Sequence, residues 1–181
     1  ESFSFISQDS SSLSSVTVTD SSSLTSFSIT DSNYFVSVGS IDLSGCEALE
    51  SVVINGCTSL TGLSLPTGTS LKTLDLTNCT SMDILGTGNT SVLENLGITN
   101  TAISTIDINA FPALKNLYAS STMDGMGLSG DIVISGHSAL ETIDLSGTQV
   151  DSITISNVGT LTTLKISDSE TSSPTFKVTQ P

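Results

Sequence analysis

Residues 49–79 read LESVVINGCTSLTGLSLPTGTSLKTLDLTNC, and one short phrase occurs three times within them. The phrase is an apolar residue, two residues of any type, a second apolar residue, one residue of any type and a third apolar residue. Its copies start eleven residues apart and are Leu49-Val52-Ile54, Leu60-Leu63-Leu65 and Leu71-Leu74-Leu76. A short fixed period is typical of stacked units that pack on their neighbours, and not of a globule with a unique core.

The phrase continues in both directions along the chain. Further complete or partial copies start at Leu13, Leu24, Val38, Met82, Leu93, Ile103, Leu114, Ile132, Leu140, Val150 and Leu161. The last two apolar residues of a copy flank one other residue, and alternate strand residues share a face, so each copy predicts a short strand. Gly, Asn, Asp or Ser follows nearly every predicted strand, and these residues favour tight turns.

Two consecutive phrases form one coil of 21 or 22 residues, so alternate phrases are expected to stack into two parallel sheets. The first set of strands is centred on Phe27, Val52, Leu74, Leu96, Leu117, Ile143 and Leu164. The second set is centred on Val16, Ile41, Leu63, Leu85, Ile106, Ile132 and Ile153. The predicted fold is an all-β or mainly β solenoid of about seven coils with two parallel sheets and little or no helix. One domain is expected over residues 1–181, with coils over 13–169 and terminal half-strands at 3–5 and 176–178.

Two of the phrases extend into longer motifs. LKTLDLTNC at residues 71–79 and LESVVINGC at residues 49–57 resemble the LxxLxLxxN or LxxLxLxxC core of the leucine-rich repeat family. More narrowly, the chain is similar to the bacterial surface-protein class with nested periodicity, in which both halves of a repeat of about 21 residues carry the phrase. The resemblance covers most of the chain and implies a leucine-rich-repeat-like scaffold for binding or adhesion.

The resemblance also implies a ladder position, which is the residue that ends each motif at the corner of the coil. Cys46, Cys57, Cys79 and His137 occupy this position. Adjacent coils would bring the Cα atoms of Cys57 and Cys79 to about 5 Å, which permits a disulfide. A buried ladder of free thiols is the favoured alternative, because parallel side chains do not readily reach the disulfide torsion. His137 is expected to point inward as a spacer.

The charge of the chain limits its possible partners. The formal net charge is −14, and the chain has only four basic residues, all of them Lys. Binding of nucleic acid requires a basic surface that displaces counterions, so nucleic acid is not expected as a partner. No apolar run approaches the length of a transmembrane segment. Acidic surfaces rich in Ser and Thr are common on extracellular proteins, so the protein is expected to be secreted or to lie at the cell surface.

No sequence motif for catalysis, metal binding or a cofactor is found. Three dispersed Cys and one His do not supply four convergent zinc ligands, and no calcium-binding loop pattern is present. The G-x-S-x-G pattern of a nucleophile elbow does not occur either. The outward Asp42, Asp75, Asp107 and Asp144 fit a solvated face. The sequence therefore predicts a protein that is not an enzyme and that needs no cofactor or metal.

Candidate ligand-binding residues come from two long corner segments and from one sheet face. The segments, residues 31–37 and 121–130, extend the same corner of the coil, and insertions in repeat proteins often lie on the binding face. The outer face of the first sheet carries a Tyr, an Asp and a Lys on successive coils, and Tyr combines apolar area with a polar tip. The candidates are Asn33, Tyr34, Phe35, Tyr118, Met123, Asp124, Met126, Asp144 and Lys165. The alternative for the two segments is that they are loop insertions without a function. The alternative for the sheet face is that its side chains pair only to stabilise the sheet.

These observations lead to a ranked set of functional hypotheses. The first is an extracellular binding or adhesion module that recognises a protein or glycan on another cell or surface. The second is a structural subunit of a surface filament, array or appendage, assembled by end-to-end self-association of the open solenoid ends. The third is an ice-binding protein, suggested by flat strands rich in Ser and Thr, although Asp, Lys, Tyr, Val and Gly interrupt the columns.

Overall fold

Fourteen short strands and one 3-10 turn form the described part of the chain. The computed structural model describes residues 1–5, 13–19, 21–30, 37–68, 70–85, 91–167 and 175–179. The strands are β1 (Ser2–Phe5), β2 (Ser15–Thr17), β3 (Ser26–Ile29), β4 (Ser40–Asp42), β5 (Ser51–Ile54), β6 (Gly62–Ser64), β7 (Thr73–Asp75), β8 (Asn95–Gly97), β9 (Asn116–Tyr118), β10 (Ser129–Ser135), β11 (Thr142–Asp144), β12 (Gln149–Ser156), β13 (Thr163–Lys165) and β14 (Thr175–Thr179). The 3-10 turn is Ile108–Ala110.

The long sheet contains eight strands in the order β1-β3-β5-β7-β8-β9-β11-β13, and all of its pairs are parallel. Val52 pairs with Leu74 and Leu74 pairs with Leu96, so the predicted vertical neighbours are confirmed. The seven strands from β3 to β13 are those of the first predicted set. They are separated by six turns with a period near 22 residues. The fold is therefore a mainly β parallel solenoid of about six turns, and the described residues contain no α-helix.

The second sheet differs from the prediction because it is interrupted. It consists of two separate three-stranded sheets, β2-β4-β6 and β10-β12-β14. Within the described residues, no strand contains Leu85 or Ile106. The phrase of Leu85 lacks its third apolar residue, because Thr87 takes that place in the sequence. The prediction of two continuous sheets was wrong at the coil of Ile106, and residues 86–90 of the coil of Leu85 lie outside the described residues.

A local hydrogen bond explains the missing strand at Ile106. The side chain of Asp107 accepts a hydrogen bond from the backbone N–H of Asn109, with N···O 3.1 Å, and thereby caps the 3-10 turn. Short polar side chains that bond nearby backbone offer the chain an alternative to a sheet ladder. The local turn therefore replaces the strand that the apolar pattern alone predicts.

The core is a ribbon of aliphatic side chains between the facing sheets. Phe27, Val52, Leu96, Leu117 and Ile143 are fully buried on the long-sheet side. On the other side, Ile41, Ile134 and Ile153 are at most 1% exposed. Each strand is only a few residues long, so the apolar packing between successive coils stabilises the stack more than any one strand could do alone.

The corners after the long-sheet strands use residues in the left-handed region. Gly56, Asn78, Asn100 and Gly147 have φ angles of 76°, 62°, 55° and 70°. Gly and Asn tolerate this region better than other residues, which explains their place after the predicted strands. At Gly147 the requirement is also steric, because a Cβ there would collide with the carbonyl oxygen of Ser121.

A stack of Asn side chains joins the corners of successive coils. Asn78 Nδ2 donates to Asn55 Oδ1 at 3.2 Å, and Asn100 Nδ2 donates to Asn78 Oδ1 at 2.9 Å. The backbone N–H of Thr122 continues the stack by donating to Asn100 Oδ1 at 2.8 Å. Asn78 and Asn100 lie one residue before the predicted ladder position, which Cys79 occupies in the first of these coils.

Candidate functional site

The outer face of the long sheet holds the residues that form the best candidate site. Asp75, Gly97, Tyr118, Asp144 and Lys165 lie in register on the successive strands β7, β8, β9, β11 and β13. Each of them comes directly after an apolar residue of the central column, so its side chain position lies on the opposite face. We call this column of five residues the Tyr118 face.

Gly97 leaves a notch between Asp75 and Tyr118. A Cβ at Gly97 would lie 2.6 Å from Asp75 Oδ1, which is closer than real contacts allow. The φ angle of Gly97 lies outside the left-handed region, so a side chain here would conflict with the Asp75 carboxylate and not with the backbone conformation. The notch has a volume of about 230 Å³ and is open to solvent. Its lining residues are Thr73, Leu74, Asp75, Asn95, Gly97 and Tyr118.

Tyr118 forms one wall of the notch. Its side chain is 44% exposed, although its neighbour Leu117 is fully buried. No hydrogen bond of the Tyr118 hydroxyl is found within the described residues. The wall therefore offers an aromatic surface and a free hydroxyl to a ligand.

The polar walls of the notch are held by hydrogen bonds within the protein. Asp75 Oδ1 accepts from the backbone N–H of Thr77 at 3.0 Å and from its hydroxyl at 2.6 Å. Asn95 Nδ2 donates to Thr73 Oγ1 at 3.3 Å, and Asn95 Oδ1 accepts from Asn116 Nδ2 at 2.8 Å. These bonds fix the side chains before a ligand arrives, which lowers the entropic cost of binding.

Asp144 and Lys165 continue the Tyr118 face on the side away from the notch. Lys165 Nζ lies 3.3 Å from Asp144 Oδ2, and the Lys side chain is 59% exposed. Burial acts to raise the pKa of Asp144, but hydrogen bonds from Ser146 and the charge of Lys165 outweigh it and hold the pKa below its usual value. The Asp144 carboxylate is therefore ionised at neutral pH, and an ion pair with so exposed a Lys contributes at most about 1 kcal/mol to stability.

The structure separates the other predicted ligand residues from this face. Met123 is 42% exposed, Asp124 is exposed and Met126 is half-buried, all in the segment after β9. Met123 bonds with Ser121 through its backbone, and in the described chain no hydrogen bond joins these three side chains to the Tyr118 face. The candidates Asn33, Tyr34 and Phe35 lie outside the described residues.

Sequence reasoning missed the notch itself. Asp75 was interpreted only as part of a solvated face, and Asn95 and Gly97 were not among the candidates. The available signal was a Gly at the outward strand position, one repeat after Asp75 and one repeat before Tyr118. A small residue between two larger ones in the same column predicts a depression in the sheet surface.

The cysteines of the ladder position are buried and free. Cys46, Cys57 and Cys79 are all fully buried and none is in a disulfide. Burial raises the pKa of Cys57 to about 11 and that of Cys79 to about 12. Burial also raises the pKa of Cys46. The thiol of Cys79 donates to the carbonyl oxygen of Ile54 on the preceding coil, at 3.4 Å.

We expect the three thiols to be unreactive in the folded protein. The thiolate is the reactive form, and both burial and the raised pKa values suppress it, so iodoacetamide at about pH 8 should leave the native chain unmodified. The same reagent should modify all three cysteines in guanidinium chloride. Mass spectrometry of the two samples measures the difference, and rapid modification of the native chain would contradict the burial.

His137 lies at the corner after β10 and is only 2% exposed. Its Nδ1 atom is buried and has no hydrogen-bond partner among the described residues. Burial lowers the pKa of His137, against the opposing effect of the negative charge on Asp107. His137 is therefore a neutral packing residue at neutral pH.

Comparisons with known proteins leave the fold as the only basis for classification. No protein-family model, curated protein or solved structure matches the chain. Within the described residues, no helix has the length and apolar character that a membrane span requires. No group of three or more His, Cys, Asp or Glu residues suited to a metal ion is found there either. The protein belongs by structure to the class of parallel β-solenoids with a repeat near 22 residues.

Proposed function

We propose that the protein is a non-catalytic binding module of the cell exterior that holds a glycan at the notch of the Tyr118 face. The observation that carries this proposal is the open notch at Gly97, with an aromatic wall on one side and a fixed carboxylate on the other. The module is proposed to be secreted or attached to the cell surface. Its ligand would be a glycan chain on another cell or surface.

The chemistry of the notch suits a ligand rich in hydroxyl groups. An aromatic ring can pack against the apolar C–H face of a sugar, while carboxylate and amide groups bond its hydroxyls. Asp75 offers acceptor atoms to the ligand. Tyr118 and Asn95 also line the notch, and they offer an aromatic ring and an amide group. The notch is shallow, so it fits one sugar ring of a longer chain and not a buried small molecule.

We also propose that the repeats are of the leucine-rich type with nested periodicity. The support is the phrase of three apolar residues, whose members are buried in both halves of many coils. Such scaffolds present a broad rigid surface, which is suited to recognising an extended ligand.

A glycan array followed by calorimetry with the best glycan tests the proposed site. Gly97→Ala should weaken binding at least about tenfold, because its Cβ fills the notch, and Tyr118→Ala should do the same by removing the wall. Ile84→Ala is the matched control, since Ile84 is 70% exposed and lies outside the Tyr118 face. The control should bind as the unaltered protein does.

Two results would refute the proposed site. One is the absence of any bound glycan in the array. The other is a glycan whose affinity is unchanged in both Gly97→Ala and Tyr118→Ala, because that ligand would bind elsewhere on the molecule.

A further inference from the structure

The strand β10 has one edge that no other strand of the described chain covers. It pairs with β12 on one side. On its other side the preceding coil should supply the strand predicted at Ile106, but that strand is not formed. Within the described residues, the backbone bond that joins the two segments lies at the start of β10, where the N–H of Ser129 donates to the carbonyl oxygen of Ser104 at 2.9 Å. A groove lies beside β10 between this bond and the contacts that Asn109 makes further along the strand.

Asn109 covers part of the open edge with its side chain. Its Nδ2 atom donates to the carbonyl oxygen of Val133 at 3.4 Å, and its Oδ1 atom accepts from the backbone N–H of Ser135 at 3.2 Å. A side-chain amide thus takes the place of a neighbouring strand at these two groups. Open edges are commonly protected in such ways, because they are templates for pairing.

Three other backbone groups of the edge remain available. In a parallel sheet, alternate residues direct both their N–H and their C=O to the same side. The bond from Asn109 shows that the backbone groups of Val133 point towards the groove. The backbone groups of Asp131, two residues earlier in the strand, therefore point the same way. Within the described residues, the N–H and C=O of Asp131 and the N–H of Val133 have no hydrogen-bond partner. An incoming strand would therefore meet two N–H donors and one C=O acceptor along the edge of β10.

The side chains around the edge define what the groove would accept. It has a volume of about 380 Å³ and is lined by Thr105, Ile106, Asp107, Asn109, Asp131 and Val133. The carboxylates of Asp107 and Asp131 are both exposed, and Ser152 holds Asp131 by a hydrogen bond. Val133 is 51% exposed, and Ile106 is only partly buried. The groove therefore combines negative charge with apolar surface.

We propose that the β10 groove binds an extended, Lys- or Arg-containing segment of a partner protein, which adds to β10 as a further strand. Strand addition obtains its affinity from the main-chain bonds and its specificity from alternate side chains. Alternating apolar and basic residues would place the apolar side chains against Ile106 and the basic ones beside Asp107 and Asp131. A second copy of this chain is a poorer occupant, because its net charge of −14 and its lack of Arg oppose the acidic groove. This site is independent of the Tyr118 face, which lies on the other sheet.

The probe for this proposal is a capped peptide of about seven alternating valine and lysine residues, the usual length of a strand. Its affinity is measured by calorimetry with the whole protein. Two comparison peptides have the same sequence with every second backbone amide N-methylated. One carries the methyl groups on the odd-numbered residues and the other on the even-numbered residues. One register should bind at least about tenfold more weakly than the unmodified peptide, because N-methylation removes the donors that face β10.

Matched variants of the protein test the same edge from the other side. Val133→Pro removes the N–H that faces the groove without removing a bond to β12, and Pro is tolerated at such an edge position. It should reduce affinity at least about tenfold, whereas Val133→Thr keeps the N–H and should change affinity less than about twofold. Asn109→Ala should raise affinity severalfold by uncovering two more backbone groups. D107N with D131N should lower affinity and weaken its dependence on salt.

Three outcomes decide against the proposal. If the peptide does not bind at about 1 mM, the groove is not a strand-addition site. If both N-methylated registers bind as well as the parent peptide, the groove holds side chains and not a strand. If the protein forms dimers that Val133→Pro disrupts, the occupant is a second copy and not a partner peptide. Should Val133→Pro fail to fold by circular dichroism, the N-methylated peptides decide the question without it.

Discussion

Gly147→Ala should lower the free energy of unfolding by about 2–5 kcal/mol, of which the left-handed backbone accounts for about 1–2 and the steric conflict for about 1–3. The φ angle of Gly147 is +70°, and a Cβ there would collide with the carbonyl oxygen of Ser121 on the preceding coil. Neither atom is at the end of a flexible side chain, so two backbones would have to move apart. Urea unfolding followed by circular dichroism measures the loss.

Gly136→Ala is the matched control for this prediction. Gly136 has nearly the same φ, +72°, but a Cβ there would meet no atom within 4 Å. Gly136→Ala should therefore lower the free energy of unfolding only by the backbone strain, about 1–2 kcal/mol. Equal losses in the two variants would show that the close approach of the coils at Gly147 does not limit the fold.

Asn100→Ala is the second substitution with a large expected effect, again about 2–5 kcal/mol in the free energy of unfolding. Asn100 has φ +55° and is 8% exposed. Its side chain donates to Asn78 on one coil and accepts from the backbone N–H and the hydroxyl of Thr122 on the next. The substitution adds backbone strain and also removes these part-buried hydrogen bonds from Asn78 and Thr122.

Two further variants separate these contributions. Asn157 has φ +54° and an exposed side chain, so Asn157→Ala should show the backbone strain alone. Asn100→Gly removes the strain and keeps the loss of the hydrogen bonds, which should cost about 1–3 kcal/mol. If Asn100→Ala is no more harmful than Asn157→Ala in urea unfolding, the Asn stack does not stabilise the coils.

The two proposed binding sites arise from opposite departures from the regular repeat. At Gly97 the long sheet is intact but one outward side chain is missing, which opens a notch beside Tyr118. At Ile106 the outward residues are present but the strand is missing, which opens the edge of β10. A rigid repetitive scaffold presents a distinctive surface mainly where its repeat is broken, because elsewhere each coil resembles the next.

The sequence by itself determined the coil length, the strands of the long sheet and the residues of the core. Val52, Leu74 and Leu96 could be placed one above another because burial of one face forces apolar residues into a fixed period, and a slip by one residue would expose them all. The turns after those strands were predictable for a similar reason, since Gly56 and Asn78 belong to the few residue types that adopt a positive φ.

Only the tertiary structure decided what happens between coils. Leu85 and Ile106 satisfy much of the apolar pattern, yet strand formation also depends on whether a local bond such as that of Asp107 competes with the ladder. The bonds among Asn55, Asn78 and Asn100 and the space above Gly97 likewise join residues about 22 positions apart. A periodic pattern specifies which side chains point inward, but contacts on the outer surface depend on the register and shape of neighbouring coils, and these exist only once the chain has folded.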